Sequence, residues 1–171
     1  MKLIICMANT ADGKIAKSKD HLANWTSAED KKHFIDLTKK HKAIIMGENT
    51  YKTIGKALPG RLNLILTKNP EKYKSKVKKG SLEFFSGSPK EVVLYLKKQG
   101  LKSSVIGGGA FVNASFLNTG LIDEMFLTYE GILFGSGLGC CDGLKKDVKL
   151  EIIKIKKLSK TTHVIHYKVK K

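Results

Sequence analysis

The sequence predicts one α/β domain spanning residues 1–171, with a central, mainly parallel sheet, flanking helices and an antiparallel C-terminal hairpin at one edge. Three observations predict this fold. A length of 171 residues suits one ordinary domain. Short apolar runs alternate with amphipathic stretches through most of the chain, which is typical of buried parallel strands joined by helices. From Leu121 onward only strand patterns remain, so the sheet is expected to end in antiparallel strands.

Each element follows from a local pattern. Continuous apolar runs predict buried strands, amphipathic stretches predict helices, and alternating apolar and polar residues predict the final hairpin. In chain order we predict a strand at 3–8, a helix from Ser27, strands at 43–47, 62–67 and 82–85, a helix from Pro89, a strand at 103–108, a short helix after Gly109, and strands at 122–130, 148–158 and 162–169.

The chain is strongly basic. Lysine and arginine total 32 against 15 acidic residues, and the formal net charge is +17. Such a charge attracts anions and raises nucleic acid as a partner class. The lysines are nevertheless scattered, without a run of five or six like charges. We therefore expect a solvated basic surface and no nucleic-acid partner, with a dedicated polyanion groove as the alternative.

The cysteines indicate the compartment. Cys6, Cys140 and Cys141 are odd in number and lack C-x-x-C spacing, which predicts reduced thiols in the cytoplasm. No stretch approaches the roughly 20 apolar residues of a membrane span, so no membrane partner is expected. The five histidines show no metal-ligand spacing, and no metal is predicted.

Arg61 is the only arginine, because the other 31 basic residues are all lysine. A guanidinium presents a planar fork to a carboxylate or phosphate, and an ammonium does not. The exception predicts a bidentate anion site at Arg61, with chance as the alternative.

Asp30 is a candidate buried acid. Thr26 and Glu29 have the spacing of a capping box at the start of a helix. Asp30, Phe34 and Thr38 follow at four-residue intervals and share one face of that helix. An acid on an apolar face is costly unless a ligand or hydroxyl pairs with it. The alternative is a solvent-facing acid that only stabilises the first turn.

Two strand-to-helix junctions contain glycines, at 45–51 and 105–111. Junctions of this kind present free N–H groups to phosphates. Neither has the G-x-G-x-x-G spacing, so a tight packing turn remains the alternative.

The polar loop from Ala11 to Asn24 is long enough to serve as a lid. The alternative is that this loop has no role in function.

Together these segments resemble the dihydrofolate reductase family over nearly the whole chain. The matching residues are W-x4-D-x3-F-x3-T from Trp25 to Thr38, MGENTYKTIGKALPGRLNLILTKNP at 46–70, VIGGGAF at 105–111 and FLT at 126–128. The second segment, in which LPGR follows the MG-x-x-T turn at a fixed distance, is highly specific.

The resemblance implies a substrate and its catalytic residues. Asp30 would bind the pterin amino group and ring nitrogen and assist protonation at N5, with Thr128 bonded to it. Arg61 would bind the α-carboxylate of the glutamate tail of dihydrofolate, which also explains the lone arginine. The other implied substrate-binding residues are Cys6, Ala8, Phe34, Ile54, Leu58 and Ile106.

The resemblance also implies NADPH as the cofactor. Thr67 and Lys68 would hold its 2′-phosphate, and Gly107 and Gly108 would be joined by a cis peptide beside its pyrophosphate. Glu48 departs from the family, since an arginine is common there. The other implied cofactor-binding residues are Ile15, Gly47, Asn49, Thr50, Gly109, Ala110 and Phe111.

A second resemblance covers 10–16 and 120–137, which are similar to the reductase domain of riboflavin biosynthesis. That family shares the fold and reduces a ribosylaminopyrimidine with NADPH. We expect dihydrofolate as the substrate because Asp30 and Arg61 both fit a pterin that carries a glutamate. The sequence leaves open whether the protein is a monomer or a homodimer.

Overall fold

The computed structural model describes residues 1–171. The elements predicted from the sequence are present in the predicted order, with small differences in length, and a 3-10 helix and two short strands are additional. They are β1 (Lys2–Thr10), β2 (Lys14–Ala16), α1 (Ala28–Lys40), β3 (Ala43–Gly47), α2 (Glu48–Ile54), β4 (Leu62–Leu66), a 3-10 helix (Pro70–Lys76), β5 (Leu82–Phe85), α3 (Pro89–Lys98), β6 (Ser103–Ile106), α4 (Ala110–Asn118), β7 (Glu124–Glu130), β8 (Leu138–Gly139), β9 (Leu150–Lys157) and β10 (Thr162–Val169).

Eight strands form one sheet in the order β5-β4-β3-β6-β1-β7-β10-β9. The first six run parallel to their neighbours. β10 is antiparallel to both β7 and β9. The predicted α/β class, the mainly parallel sheet and the antiparallel hairpin at one edge are therefore confirmed.

A second, two-stranded sheet pairs β2 with β8 and was not predicted. The two strands contain three and two residues, which is too short for an alternating pattern to stand out. β2 lies inside the polar loop between Ala11 and Asn24, so part of that loop pairs with a distant segment of the chain.

The central strands are buried on both faces. Consecutive residues Ile4 and Ile5 in β1, and Ile44 and Ile45 in β3, are all at most 1% exposed. Successive side chains of a strand point to opposite faces, so helices must cover both sides of the sheet. This burial is the physical reason for the uninterrupted apolar runs in the sequence.

None of the helices is both long and apolar enough to cross a membrane.

The register of the sheet opens a cleft at the carboxyl ends of its parallel strands. β6 ends at Ile106, which lies opposite Ile5 of β1 and Ile45 of β3. β1 continues to Thr10 and pairs there with β7 only. The space beyond Ile106 is therefore bounded by β1 and β3. Ligands of open α/β sheets bind outside the carboxyl ends of the strands.

The start of α1 differs from the sequence prediction. Ser27, rather than Thr26, is the N-cap, and its hydroxyl accepts a hydrogen bond from the Asp30 N–H at 3.1 Å. The capping box with Thr26 and Glu29 was therefore wrong. A tertiary contact favours Ser27, because its N–H and hydroxyl both donate to the distant Glu130 carboxylate.

Candidate active site

Asp30 is a buried carboxylic acid at the start of α1, with 6% of its surface exposed. Burial raises its pKa above the ordinary carboxyl value, and the negative charge of Glu130 raises it further. The hydroxyls of Thr128 and Thr26 and the charge on His33 act in the opposite direction. An acid whose pKa is raised in this way can carry a proton nearer to neutral pH.

Thr128 lies on β7 beside Asp30 and is fully buried. Its hydroxyl stabilises the ionised carboxylate, yet it makes no hydrogen bond of normal geometry within the chain. A buried hydroxyl without a partner costs free energy. Thr128 therefore lies close to Asp30, as expected, and its hydroxyl is available to a ligand.

The raised pKa makes a testable statement about stability. Ionised Asp30 is disfavoured in the fold, so stability falls as the pH rises from the ordinary carboxyl pKa through the raised folded pKa. Asp30→Asn removes the charge and is expected to raise the melting temperature at pH 8, by about 2–4 °C for each kcal/mol relieved. The difference should shrink below pH 4. Thermal unfolding at both pH values measures this, and an unchanged melting temperature at pH 8 contradicts it.

Arg61 binds the far end of the same helix face. Its Nη1 donates to the Thr38 hydroxyl at 2.5 Å and to the Ile35 carbonyl at 3.0 Å. Asp30 and Thr38 are eight residues apart, so about 12 Å of helix separates the acid from the guanidinium contact. Arg61 is 6% exposed, and its Nε is buried without a partner. Burial lowers the pKa of Arg61, but a guanidinium stays charged.

Beside Arg61 the surface forms an open depression, which Lys39 and Lys42 also line. Three cations therefore surround one concave surface. The Nη1 of this arginine is held by protein oxygens, and its buried Nε has no partner. A depression lined by three basic side chains suits an anion.

Three of the residues expected to bind substrate share one apolar cluster. Phe34, Ile54 and Leu58 pack against the buried cluster formed by Ile44, Met46, Ile65 and Leu82. The other positions expected to bind substrate lie on the neighbouring strands: Cys6 and Ile106 are buried and Ala8 is half-buried. Burial and the Asp30 charge raise the pKa of the Cys6 thiol, which favours its neutral form. The structure thus places three of the expected substrate-binding residues on one apolar cluster.

The two glycine junctions meet at the carboxyl ends of β3 and β6. The Gly47 N–H donates to the Gly108 carbonyl at 2.8 Å, and the Gly107 N–H donates to the Ile45 carbonyl at 2.8 Å. A Cβ on Gly47 would lie 3.1 Å from a methyl of Val112. The glycines are therefore needed for close approach of two backbones, as the packing-turn alternative expected, and they also form a small backbone cradle at the cleft.

The cis peptide lies between Gly108 and Gly109, so the expectation of a cis bond between Gly107 and Gly108 was wrong by one residue. Gly107 still pairs with β3 through the hydrogen bond to Ile45. The chain turns only after this pairing, where Gly109 becomes the N-cap of α4.

The remaining expected cofactor residues surround this cradle. Asn49 is exposed, Thr50 is half-buried, and the Thr50 hydroxyl would lie 3.4 Å from a Cβ on Gly109. Ala110 is buried, whereas Phe111 is 69% exposed. Two peptide turns with little side-chain bulk are thus placed where a phosphate-containing ligand could approach the backbone.

Glu48 lies where the family commonly has an arginine, and it forms a network of hydrogen bonds. Its carboxylate accepts from Thr67 at 2.5 Å, from Lys52 at 2.6 Å and from the Tyr73 hydroxyl at 2.6 Å. These donors lower the pKa of Glu48 to about 2. A permanent negative charge therefore lies beside Thr67, while Lys68 is exposed. Tyr73 was not singled out in the sequence, because nothing local marks it.

Asp12 holds the beginning of the loop expected to act as a lid. Its carboxylate accepts hydrogen bonds from the Thr10 hydroxyl and from the N–H groups of Phe134 and Gly135, and these lower its pKa to about 2. Ile15 lies in β2 and is half-buried. The loop is thus joined through Asp12 to the segment before β8 and through β2 to β8 itself.

The fold and site define an α/β reductase. The chain belongs to the dihydrofolate reductase family, whose model matches residues 2–129. Dihydrofolate reductase type 3 of Salmonella typhimurium is 30% identical over 112 residues, which cover 65% of this chain and 62% of that relative. The match thus spans less than two thirds of the relative's length.

Solved structures from two groups share the fold. Dihydrofolate reductase of Enterococcus faecalis, complexed with NADP(H) and RAB-propyl, has a TM-score of 0.72 at 21% identity and covers 99% of this chain and 97% of its own. A diaminohydroxyphosphoribosylaminopyrimidine deaminase/5-amino-6-(5-phosphoribosylamino)uracil reductase of Thermotoga maritima has a TM-score of 0.82 at 18% identity, covering 98% of this chain and 56% of its own. At these identities the likeness concerns the fold alone.

Proposed function

We propose that this protein reduces 7,8-dihydrofolate to 5,6,7,8-tetrahydrofolate with NADPH. One observation carries the proposal: Asp30 lies in the first turn of α1, and Arg61 binds Thr38 further along the helix face that Asp30 and Phe34 share. A flat heterocycle with a carboxylate tail matches this arrangement of acid, apolar surface and guanidinium. We further propose that the enzyme is cytoplasmic and acts as a monomer or a homodimer.

Asp30 supplies the acid chemistry in this proposal. Its carboxyl group would accept hydrogen bonds from the pterin amino group and ring nitrogen, and Thr128 would share that contact. Because burial raises the pKa of Asp30, the carboxyl group can hold a proton and assist its transfer to N5. The apolar residues around it exclude water, which strengthens these hydrogen bonds.

Arg61 would bind the α-carboxylate of the glutamate tail. Its Nη1 is already held by Thr38 and Ile35, so the guanidinium is fixed in orientation before the ligand arrives. Preorganisation of this kind increases affinity because little side-chain entropy is lost on binding.

The backbone cradle and the end of β4 fit a dinucleotide. The backbone at Gly47, Gly108 and Gly109 would face the phosphates, and Thr67 and Lys68 follow the next strand of the sheet. When bound, NADPH supplies the hydride for C6. The protein would hold this cofactor through the cradle and through contacts from Ile15, Asn49, Thr50, Ala110 and Phe111.

The test compares two substrates. Purified protein is supplied with NADPH and either dihydrofolate or the ribosylaminopyrimidine, and cofactor oxidation is followed by absorbance. We expect oxidation with dihydrofolate only. Turnover of the ribosylaminopyrimidine alone would assign the riboflavin-type reaction instead, which the segments at 10–16 and 120–137 favour. Tight, salt-dependent DNA binding without either turnover would contradict both reactions.

Glu48 is expected to limit the preference for NADPH over NADH. Its carboxylate pairs with Thr67, so a 2′-phosphate held by Thr67 and Lys68 would be close to a fixed negative charge. Glu48→Gln is therefore expected to raise the ratio of kcat/KM for NADPH to that for NADH by roughly five- to tenfold at low salt. Glu71→Gln, at an exposed acid of the adjacent 3-10 helix, is the matched control. An unchanged ratio would show that the 2′-phosphate does not bind at Thr67 and Lys68.

A further inference from the structure

Glu130 is a second buried carboxylate near Asp30, and neither the sequence motifs nor the family resemblance assigned it a role. It is the last residue of β7, two positions after Thr128, and is 7% exposed. Residues two apart on a strand point to the same face. Thr128 and Glu130 therefore both face the start of α1.

Three hydrogen bonds hold the Glu130 carboxylate. One oxygen accepts from the Ser27 N–H at 2.8 Å and from the Ser27 hydroxyl at 2.7 Å. The other accepts from the Thr162 hydroxyl of β10 at 2.7 Å. A buried carboxylate with three donors has a fixed position, because losing any donor would leave charge without a partner.

The network continues from Ser27 to Asp30. The Ser27 hydroxyl donates to Glu130 and accepts from the Asp30 N–H at 3.1 Å. One side chain thus joins the two acids through the N-cap of α1. The backbone of Asp30 is held by contacts that begin on β7 and β10.

We propose that Glu130 is a positioning residue for Asp30, which fixes the first turn of α1 through Ser27 and places a buried negative charge beside the Asp30 carboxyl group. This inference rests on the proposed function in taking Asp30 as the proton-bearing group.

The charged and titratable groups around Asp30 come from three elements. Glu130 of β7 raises its pKa, whereas His33 of α1 lowers it. Cys6 of β1 lies near enough for the Asp30 charge to raise its own pKa, and the thiol is neutral at physiological pH. Burial lowers the pKa of His33, so its ring is mainly neutral there. Of these three neighbours, Glu130 is the one that raises the pKa of Asp30.

The test uses Glu130→Gln in the full-length protein. Glutamine keeps an acceptor oxygen for Ser27 but removes the charge. The titration of Asp30 is followed by carboxyl-carbon NMR without any substrate, and we expect its midpoint to move to lower pH than in the parent protein. Where turnover is measurable, the pH at which kcat falls on the alkaline side should move down with it, with little change in the KM for cofactor.

Two further variants keep the inference testable if the glutamine variant is unstable. Ser27→Ala cuts the link to Asp30 but keeps the Glu130 charge, so kcat is expected to fall several-fold with no downward shift of the Asp30 midpoint. Glu124→Gln changes an acid on the same strand that pairs with Lys2 and His166, and it should leave the Asp30 titration unchanged.

The outcomes separate this inference from the proposed function. An Asp30 midpoint that stays in place in Glu130→Gln overturns it, whichever substrate the enzyme takes. A kcat that is unaffected by Ser27→Ala also overturns the positioning role. A shifted Asp30 titration together with no turnover of dihydrofolate would support the role of Glu130 while rejecting dihydrofolate as the substrate.

Discussion

Asp30→Asn is expected to lower the turnover of dihydrofolate by about 10²–10⁴-fold at neutral pH, the usual contribution of a positioned general acid. Asparagine keeps the size of the side chain and its hydrogen-bonding capacity toward Thr26 and Thr128, but it carries no proton for N5. Steady-state rates with saturating NADPH measure the effect. The parent enzyme should also lose activity as the pH rises through the raised pKa of Asp30. The pH–rate profile of the variant should lack this alkaline decrease.

The control for this variant is Glu29→Gln. Glu29 precedes Asp30 in the same first turn but is exposed, so its neutralisation should leave turnover nearly unchanged. Cofactor binding, measured by fluorescence titration, should be the same in both variants and the parent. An Asp30→Asn enzyme with parental turnover would remove Asp30 from the chemistry and with it the main support for a pterin substrate.

Arg61→Lys is expected to weaken dihydrofolate binding by about 1–3 kcal/mol, roughly five- to 150-fold in Kd. An ammonium cannot hold Thr38 and Ile35 and offer a planar fork to a carboxylate at the same time. The change should appear mainly in the KM for dihydrofolate, with a smaller effect on kcat. Isothermal titration with the substrate or a tight antifolate measures it directly.

The same variant also disturbs α1, because Arg61 binds two oxygens of that helix. A ligand without the glutamate tail separates the two effects. If Arg61 binds the tail, the tail-less pterin should bind parent and variant equally well. Equal weakening of the binding of both ligands would show that Arg61 has only a structural role. Unchanged affinity for dihydrofolate would favour the alternative that the single arginine arose by chance. Lys42→Ala tests whether a neighbouring cation of the depression contributes in the same way.

The order of the elements was predictable from sequence because burial imposes a pattern that residues carry locally. Consecutive apolar residues such as Ile44 and Ile45 are needed wherever both faces of a strand are covered. The stripe of Asp30, Phe34 and Thr38 was equally visible, since helical periodicity places these positions on one face. Asp30 and Thr38 are the buried residues of α1, in agreement with this stripe. Their burial contradicts the alternative that Asp30 is a solvent-facing acid.

The contacts between distant segments were not predictable in the same way. The choice of Ser27 as the N-cap depends on Glu130, 103 residues away, and the Glu48 network needs Tyr73 from a different helix. In each case the deciding partner is remote in the chain, so no local spacing reports it.

The sequence by itself determined the α/β class, the family, and the candidate acid and guanidinium, because these depend on residue type and on periodicities that are local. The tertiary structure alone decided that Asp30 has a second carboxylate beside it, that Arg61 keeps a buried nitrogen without a partner, and that a fixed negative charge lies at Thr67. The physical reason is that burial, like-charge proximity and hydrogen-bond satisfaction are set by neighbours in space, and folding brings those neighbours together from strands and loops far apart in the chain.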